Sequence, residues 1–426
     1  MRTRRTTLSA VPARLAAAIA DRPGAALLTS ADGRGPTWVA CDPVQSSWGF
    51  DPEPHRGWGS DLGELADTPR WIGVLPYEAC RHLERARWTR HDEDRPAPHL
   101  SLPQWLRYDA IARVWEGEVT LVGESEQAIE RLHEVLRHQP TPRAAGLEAL
   151  PREAPTRHAA RIRVALELIG RGDLYQVNLA RRFEYQLHGD AFGLIDTLAS
   201  ASRAPFAAAL NLGETQVCAS SPELFLQLRP DGSLLTEPIK GTRPRGADPA
   251  ADEALRRELD ADPKERAELT MILDVERNDL GRIAETGSVK LLRGPEVVSH
   301  PTIHHRQALL GAQLRAECTR ADVLRAMLPS GSVTGAPKVR AMEVIACLEP
   351  QRRGLYTGAY GCVTHGGGLQ LAMAIRVLTL KQGRAHYHSG GGIVADSDPE
   401  REVEETEWKA RQLSELLRTD RAAAAS

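Results

Sequence analysis

The spacing of apolar residues changes along the chain and predicts a mixture of helices and strands. In the segment ARIRVALELIGRGDLYQVNLARRFEYQL, apolar residues recur at helical spacing up to Gly170 and Gly172, where a helix should end. Beyond these glycines, Val177, Leu179 and Phe183 lie at even intervals, which is typical of a strand with one buried face. The segment therefore predicts a helix followed by a strand.

Other patterns predict further elements. GAALLTSAD resembles a short strand, and RVWEGEVTLVG alternates in the manner of one half-buried strand. The glycine-rich segments LPSGSVTGAPK and YHSGGGIVADSDPE should each precede a helix, the first beginning at Pro337 and the second at Ser397 or Asp398. Neither segment has the glycine spacing of a nucleotide-binding loop, but loops of this kind can present backbone N–H groups to a small anion.

A cluster of four prolines separates two helical patterns at residues 137–158, RHQPTPRAAGLEALPREAPTRH. Clustered prolines and glycines are typical of connecting segments. We therefore predict an N-terminal region at residues 1–140, a linker at 141–156 and a catalytic domain at 157–420.

Composition narrows the class of protein. The chain has 426 residues, 42% of them hydrophobic and 26% charged, with a net charge of −3, which indicates a globular protein and not a nucleic-acid partner. Its six cysteines are scattered without a C-x-x-C pair, as expected of reduced thiols. Pro12, Arg14 and Asp21 interrupt the N-terminal apolar run, so neither an export signal nor a membrane span is predicted. We expect a cytoplasmic protein.

Lysine is rare in this chain, which makes its few positions informative. Only six of the 54 Lys and Arg residues are Lys, and one of them, Lys240, stands in the tight segment PIKGT between a strand and a loop. A lysine is needed where an amine must lose its proton and act as a base or nucleophile, which arginine cannot do. Lys240 is thus a candidate for chemistry, and a surface cation beside a turn is the alternative.

Two predicted helices carry pairs of glutamates three residues apart. Glu265 and Glu268 share one helical face, and Glu402 and Glu405 share a face of a second helix. Brought together, the four carboxylates would form an oxygen-lined site suited to Mg²⁺. The alternative is that both pairs lie on solvated helix faces.

Three further polar positions are candidates for a site. Glu223 follows a Ser-Ser-Pro turn and enters a strand, where a partly desolvated carboxyl could serve as a general acid, or the residue could be an ordinary edge-strand glutamate. Arg376 lies inside an otherwise apolar strand, where a buried guanidinium requires an anion unless the residue faces outward. His304 and His305 are adjacent, so at most one of them faces a given site.

Seven segments in order resemble the chorismate-utilising enzymes over about residues 155–420. They are GDLYQVNLARRF, SSPELFL, PIKGTRPRG, AELTMILDVERNDLGRI, SGSVTGAPKVRAMEVI, RRGLYTGAYG and GGGIVADSDPEREVEET. They look most like the aminodeoxychorismate synthase branch of that family. The resemblance implies an α+β fold in which two large antiparallel β-sheets pack together with helices outside, as in anthranilate synthase component I.

The resemblance also implies a set of site residues. It places Mg²⁺ on Glu265, Glu268, Glu402 and Glu405. It implies that chorismate is bound by Gln176, Thr242, His305, Ser332, Tyr356, Arg376, Gly390, Gly391, Gly392 and Lys409. Trp408 and Ser332 depart from the residues that are usual in relatives, which concerns fine positioning and not the class of reaction.

Two positions separate the reactions of this family. Gln176 stands where isochorismate and salicylate synthases carry a water-activating lysine, and Lys240 stands where anthranilate synthases have alanine. The resemblance therefore implies that Lys240 attacks C2 of chorismate while Glu223 protonates the departing C4 hydroxyl. Ammonia then enters at C4 and gives 4-amino-4-deoxychorismate, for p-aminobenzoate and folate synthesis. An anthranilate synthase component and an inactive chorismate-binding protein are the alternatives.

Two expectations concern partners and regulation. No glutaminase segment is recognisable, so a separate glutamine amidotransferase subunit is expected to supply the ammonia. LLTS and SRAPFAA stand where tryptophan-regulated relatives have other motifs, so tryptophan inhibition is not predicted.

Overall fold

Strands dominate the computed structural model of the protein, which describes residues 1–53, 62–83 and 95–417. The strands in these ranges are β1 (Arg2–Thr6), β2 (Ala26–Thr29), β3 (Thr37–Ala40), β4 (Gln45–Ser47), β5 (Pro69–Leu75), β6 (Gln104–Arg107), β7 (Ala110–Trp115), β8 (Glu118–Gly123), β9 (Gly146–Ala149), β10 (Gln176–His188), β11 (Phe206–Asn211), β12 (Gln216–Ser221), β13 (Leu224–Leu228), β14 (Ser233–Glu237), β15 (Ile239–Pro244), β16 (Lys290–Ser299), β17 (Ile303–Gln313), β18 (Gly335–Ala336), β19 (Ala359–Thr364), β20 (Leu369–Met373), β21 (Val377–Lys381) and β22 (Arg384–Ile393). The helices are α1 (Pro12–Ile19), α2 (Glu126–Arg137), α3 (Pro155–Gly170), α4 (Ala191–Ser202), α5 (Pro249–Ala261), α6 (Pro263–Gly281), α7 (Arg320–Met327), α8 (Lys338–Leu348) and α9 (Pro399–Ala410).

These strands form two large antiparallel sheets. The first has the order β1-β8-β7-β3-β2-β11-β12-β21-β22-β10-β18, with β9 also paired to β10. The second has the order β15-β17-β14-β13-β20-β19-β5-β6-β4, with β16 also paired to β17. A buried layer that includes Val74 of β5 and Leu210 of β11 draws residues from both sheets. The predicted α+β fold with two packed antiparallel sheets is confirmed.

Helices cover the outer faces of both sheets. Leu15 of α1, Ile129 of α2 and Leu194 of α4 are fully buried in one cluster with residues of the first sheet. Leu269 of α6 and Leu324 of α7 are buried in a second cluster with residues of the second sheet. Each buried leucine or isoleucine contributes about 1.5–3 kcal/mol relative to an exposed one, so these apolar helix faces fix the helices on the sheets. No helix of the described ranges combines the length and apolar character that crossing a bilayer requires.

Several local predictions are confirmed and two are wrong. Helix α3 ends at Gly170 and β10 buries Val177, as predicted. RVWEGEVTLVG is not one strand but the hairpin of β7 and β8, because Glu116 and Gly117 adopt left-handed φ angles of 51° and 79° and form a two-residue turn. The glycines of YHSGGGIVADSDPE do not form a loop, since Gly390 to Gly392 pair with β10 inside β22.

The starts of two helices lie where the glycine-rich segments placed them. Helix α8 begins directly after Pro337, and Asp398 caps the N-terminus of α9. Four residues of the predicted linker form β9, and strands from both sides of that linker contribute to both sheets. The division into two regions stays a prediction.

The chain crosses from the first sheet to the second at Pro222 and Glu223, and it crosses back between β20 and β21 at residues 374–376. The two crossings lie side by side, because the N–H of Ser220 donates to Arg376 O at 3.1 Å and that of Met373 donates to Glu223 O at 3.1 Å. Arg376 therefore does not lie inside a strand, and its φ of 51° is left-handed. The strands on both sides of it are apolar because both are buried, so the pattern alone did not reveal the break.

Candidate active site

A cavity of about 430 Å³ opens at these crossings, and it collects nearly all of the predicted site residues. Those that line it are Glu223, Lys240, Thr242, Glu265, Glu268, His305, Ser332, Tyr356, Arg376, Gly390, Gly391, Gly392, Glu405 and Lys409. Gln176 and Glu402 lie behind the wall. The Gln176 side-chain amide donates to Glu268 Oε2 at 3.4 Å, and Glu402 is buried among the other carboxylates.

Lys240 projects from strand β15 and not from a loop. The register of β15 against β17 shifts between Lys240 and Thr242, which leaves Gly241 as an extra residue in a β-bulge. Gly241 has a φ of 78°, and a Cβ there would lie 2.7 Å from Leu259 Cδ1 and 3.0 Å from Glu265 Oε2. Glycine is therefore required between the two residues that line the cavity.

Ser332 connects the amine of Lys240 to the carboxyl of Glu223. Lys240 Nζ donates to the backbone oxygen of Ser332 at 3.0 Å, and Ser332 Oγ donates to Glu223 Oε1 at 2.8 Å. Glu223 is only 5% exposed, so it is not an edge-strand glutamate in water. Burial raises the pKa of Glu223 to about 7, although Ser332 and Lys240 oppose part of that rise. Near neutral pH its carboxyl can hold a proton for donation.

Arg376 and His305 offer polar groups without protein partners. No ion pair or side-chain hydrogen bond of the Arg376 guanidinium is found among the described residues, and burial lowers its pKa. His305 Nδ1 is 3.0 Å from Thr242 Oγ1, while its buried Nε2 has no partner. His304 faces away and contacts Asp252, so only one of the two histidines lines the cavity, as expected. An anionic ligand would give this partly buried guanidinium a partner.

Lys409 and Tyr356 complete the opposite wall. Lys409 Nζ is 2.5 Å from Glu405 Oε1 and donates to Gly390 O at 2.9 Å. The Tyr356 ring is buried and stacks on His388 with ring centroids 5.3 Å apart. The cavity thus combines several cations with one rigid aromatic wall.

Helices α6 and α9 bring the four predicted metal ligands together. Asp262 caps α6 and Asp398 caps α9, and Glu265 and Glu402 lie in the first turns of these helices, where the positive helix end favours ionised carboxylates. A Cβ on Gly391 would lie 3.1 Å from Glu402 Oε2 and 3.5 Å from Glu405 Oε1, which shows how closely strand β22 approaches both side chains.

The charges in this cluster are unbalanced. Burial raises the pKa of Glu268 to about 7, with Glu265 adding to the rise, and burial together with Glu405 raises the pKa of Glu265. Burial acts in the same direction on Glu405, but Lys409 outweighs it and the pKa of Glu405 is lowered. A further cation among these carboxylates would therefore favour their ionised forms.

The donor set fits magnesium, although it is not assembled around a single point. Among the described residues, no three His, Cys, Asp or Glu side chains are grouped closely enough to hold a metal ion. Lys264 Nζ lies between the two helices instead, 3.1 Å from Glu402 Oε1 and 3.9 Å from Glu268 Oε1. The donors are all carboxylate oxygens, which is the ligand type that Mg²⁺ takes. Magnesium binding stays a proposal.

Sequence reasoning missed Lys264, Glu276 and Ser330. Lys264 lines the cavity, and its signal was present, because it is another of the six rare lysines and directly precedes Glu265. Glu276 and Ser330 lie behind the cavity and contact each other through a hydrogen bond of 2.6 Å. No spacing rule connects these two residues, which are 54 positions apart.

A larger cavity of about 790 Å³ lies elsewhere between the sheets. Its wall includes Thr29 and Ser30 of the LLTS segment and Phe206 of the SRAPFAA segment, together with Arg34 and Arg293. The predicted catalytic residues do not line it. The smaller cavity is therefore the candidate active site, and the absence of tryptophan regulation stays a prediction.

The chain is similar to known proteins over most of its length. Residues 40–415 match the family described as chorismate binding enzyme. Aminodeoxychorismate synthase component 1 of Klebsiella aerogenes is 47% identical over 246 residues, which cover 58% of this chain and 54% of that protein. Anthranilate synthase component 1 of Streptomyces coelicolor is 36% identical over 382 residues, covering 83% of this chain and 73% of that protein. The chain thus spans about half the length of the first relative and most of the second.

Solved structures show the same fold. Anthranilate synthase component I of Streptococcus pneumoniae superposes with a TM-score of 0.77 at 28% identity, covering 89% of this chain and 92% of that chain. The menaquinone-specific isochorismate synthase of Escherichia coli gives the same TM-score of 0.77 at 20% identity, covering 98% of this chain and 94% of that chain. The second likeness concerns the fold alone.

Proposed function

Because this chain belongs to the family of chorismate binding enzymes, we propose that it converts chorismate and ammonia to 4-amino-4-deoxychorismate, the reaction of an aminodeoxychorismate synthase component 1. One observation carries the proposal. The amine of Lys240 and the buried acid Glu223 are both hydrogen-bonded to Ser332 at the wall of one cavity. A nucleophile and a proton donor held on one residue are suited to replacing a hydroxyl group.

In the proposed reaction, the neutral amine of Lys240 adds to C2 of the chorismate ring and the ring double bonds shift. The C4–O bond breaks, and Glu223 gives its proton to the departing hydroxyl, which leaves as water. Ammonia then adds at C4, the double bonds shift back, and Lys240 leaves with the electron pair of its bond to C2. The product carries an ammonium group where the hydroxyl was, and Glu223 ends as a carboxylate.

The other residues position the substrate. The unpaired guanidinium of Arg376 would bind one substrate carboxylate, and the Lys409 ammonium contributes positive charge to the same cavity. Glu265, Glu268, Glu402 and Glu405 would hold Mg²⁺, which when bound would supply a positive charge for a substrate carboxylate. Gln176 contacts Glu268 and has no basic nitrogen, so this chain lacks the water-activating lysine of the water-adding branches. A glutamine amidotransferase subunit is proposed as the source of ammonia.

The relatives named anthranilate synthase component 1 support a second candidate, in which ammonia adds at C2 of chorismate and the 2-amino intermediate then loses pyruvate to become anthranilate. Both reactions can be followed in one experiment. The purified chain is incubated with chorismate, Mg²⁺ and ammonium salts, and the products are identified by mass spectrometry and by anthranilate fluorescence. We expect the 4-amino product without anthranilate. Anthranilate as the main product would contradict the proposal.

Lysine variants test the covalent step. Lys240→Ala and Lys240→Arg should both lose amination, because neither offers a nucleophilic amine, while Lys240→Arg retains the positive charge. Lys381→Ala is the matched control, since Lys381 pairs with Glu214 on the surface. Intact-protein mass spectrometry of the stopped wild-type reaction should detect a lysine adduct that is missing in both variants. Full amination by Lys240→Arg would exclude the nucleophilic role.

A further inference from the structure

Behind the cavity, a series of hydrogen bonds connects Glu223 to a second buried carboxyl. Glu276 Oε1 is 2.6 Å from Ser330 Oγ, Ser330 Oγ is 2.9 Å from Ser332 Oγ, and Ser332 Oγ is 2.8 Å from Glu223 Oε1. All four side chains are at least 95% buried. The contacts are as short as strong O–H···O bonds, and we call these four residues the relay.

The proposed reaction requires that Glu223 be reprotonated after each turnover. Each turnover leaves Glu223 as a carboxylate, because its proton departs in the water molecule and ammonia brings none to the acid. Glu223 must therefore regain one proton before the next substrate molecule reacts. A serine hydroxyl donates one hydrogen bond and accepts others at the same time, so it can pass a proton on without a net change.

We propose that Glu276 supplies this proton, which reaches Glu223 through the hydroxyls of Ser330 and Ser332. The O–H of Glu276 passes its proton to Ser330 Oγ, Ser330 passes its own to Ser332, and Ser332 passes its own to Glu223 Oε1. Glu276 ends as the carboxylate, Glu223 as the acid, and both hydroxyls keep one proton, so water must return one proton to Glu276 before the next turnover. Glu276 is thus a positioning residue for the general acid. The inference rests on the proposed function.

The electrostatics of the two carboxyls suit an exchange of protons. Burial raises the pKa of Glu276 to about 7, close to the value of about 7 for Glu223, so neither end holds the proton much more tightly. Asp279 raises the pKa of Glu276 further, whereas Ser330, Lys338 and Thr236 lower it.

Charged neighbours act on both ends of the relay. Lys240 lowers the pKa of Glu223, whereas Glu276 and Glu237 raise it. At the outer end Lys338 Nζ is paired with Asp279, beside Glu276. A negative charge on Glu276 thus favours the protonated state of Glu223.

Packing alone does not explain the choice of residue at position 276. Ser330 caps the short helical turn at Gly331–Val333 by accepting the N–H of Ser332 at 3.0 Å, and a hydroxyl suffices for that. A buried carboxyl at Glu276 costs free energy that a leucine or a glutamine would avoid. Its retention is accounted for if the carboxyl must carry a proton.

Two substitutions separate proton supply from structural support. Glu276→Gln keeps the shape and the hydrogen bond to Ser330 but cannot titrate, and Ser330→Ala breaks the relay while leaving both carboxyls in place. We expect kcat for chorismate consumption to fall at least about tenfold in each, with KM for chorismate within about twofold, because the loss concerns proton transfer and not binding. The double variant should be no slower than the slower of the two single variants, because both substitutions interrupt the same pathway.

The pH profile and a rescue variant add readouts that a structural role would not change. Glu276→Gln removes a negative charge near Glu223, so the alkaline limb of kcat should move to lower pH, whereas Ser330→Ala should reduce kcat without moving that limb. Ser330→Thr retains a hydroxyl and should restore most of kcat. Asp274→Asn, on an exposed position of α6, is the matched control and should behave as wild type.

Failure of the relay can be distinguished from failure of the proposed reaction. Chorismate consumption is followed by absorbance whatever the product, and the product is identified separately in the wild-type enzyme. A wild-type product other than 4-amino-4-deoxychorismate counts against the proposed reaction alone, whereas the kcat ratios report on the relay. Wild-type kcat in either Ser330→Ala or a folded Glu276→Gln, as judged by thermal unfolding, would overturn the relay and indicate that Glu223 is reprotonated directly by solvent.

Discussion

Glu223→Gln tests the site most directly, because one substitution should change activity and stability in opposite directions. Glutamine matches the shape of the side chain and can still accept the hydrogen bond of Ser332, but it has no acidic proton. We expect kcat to fall about 10²–10⁴-fold, the usual contribution of a general acid, with a chorismate KM within a few-fold of wild type.

The expected pH dependence follows from the pKa of about 7 for Glu223. At pH 7 about half of this carboxyl is protonated, whereas a glutamate in water with a pKa of about 4.3 would be only roughly 0.2% protonated. Because the acid form is the active one, the ratio of the wild-type kcat to the Glu223→Gln kcat should fall about tenfold per pH unit above pH 8. The assay holds free ammonia constant by adjusting total ammonium at each pH.

The same raised pKa predicts a stability effect of opposite sign. Since the folded protein binds the proton more tightly than the unfolded chain, the stabilisation is complete below about pH 4 and is lost as pH rises to about 7. The loss has an upper bound of about 3.5 kcal/mol, and Glu223→Gln does not suffer it. The variant should therefore unfold at a higher temperature than wild type at pH 8 and show little gain at pH 5.

Two measurements test whether Glu223 is a general acid with a raised pKa. They are thermal unfolding at pH 5 and pH 8 and the kcat profile from pH 6 to pH 9. Glu214→Gln, at an exposed position, is the control and should change neither quantity. A ratio of wild-type to Glu223→Gln kcat that does not fall above pH 8, or a Glu223→Gln enzyme that retains kcat, would refute the assignment of Glu223 as the acid.

Three further substitutions probe the rest of the cavity. Lys264→Met removes the ammonium next to Glu402, so Mg²⁺ should stabilise the variant against heat at about tenfold lower concentration, equivalent to about 1.4 kcal/mol, and an unchanged Mg²⁺ dependence in melting curves would contradict this. Arg376→Gln should raise the chorismate KM at least about thirtyfold, the effect of losing about 2 kcal/mol from a buried charge pair, without lowering the melting temperature; an unchanged KM would show that Arg376 does not bind substrate. Gly241→Ala places a Cβ against Leu259 at a left-handed φ, so unfolding should become easier by about 1–3 kcal/mol, and a variant as stable as wild type would disprove the need for glycine there.

The sequence predicted residue chemistry better than it predicted chain geometry. Helical spacing placed Glu265 and Glu268 on one face of α6, because an i, i+3 pair shares a face wherever the helix packs. The arrangement of two sheets came from the resemblance to a family, since alternation shows that a face is buried but not which strand lies beside it. The hairpin at Glu116 and the sheet crossing at Arg376 were missed for the same reason: both depend on left-handed residues that are not glycine.

The partners of the site residues could not be predicted, because they depend on how distant segments pack. Lys264 lies among the carboxylates only because α6 packs near α9, and it contacts Glu402 across 138 positions of sequence. The relay likewise needs the helix that carries Glu276 to lie beside the turn that carries Ser330. A candidate list of residues was therefore obtainable from the sequence, but their hydrogen bonds and pKa shifts were not.

One cavity has to keep two kinds of carboxyl in opposite states. Glu223 serves as an acid only while protonated, whereas Glu405 can bind a cation only while ionised, and burial raises the pKa of both. Different neighbours give these two carboxyls different pKa values. Glu405 contacts the ammonium of Lys409 at 2.5 Å, which outweighs the effect of burial, while Glu223 has a hydroxyl as its direct partner and a second carboxyl, Glu276, behind it. A hydroxyl partner on Glu223 and a lysine partner on Glu405 thus favour one protonated and one ionised carboxyl in one pocket at one pH.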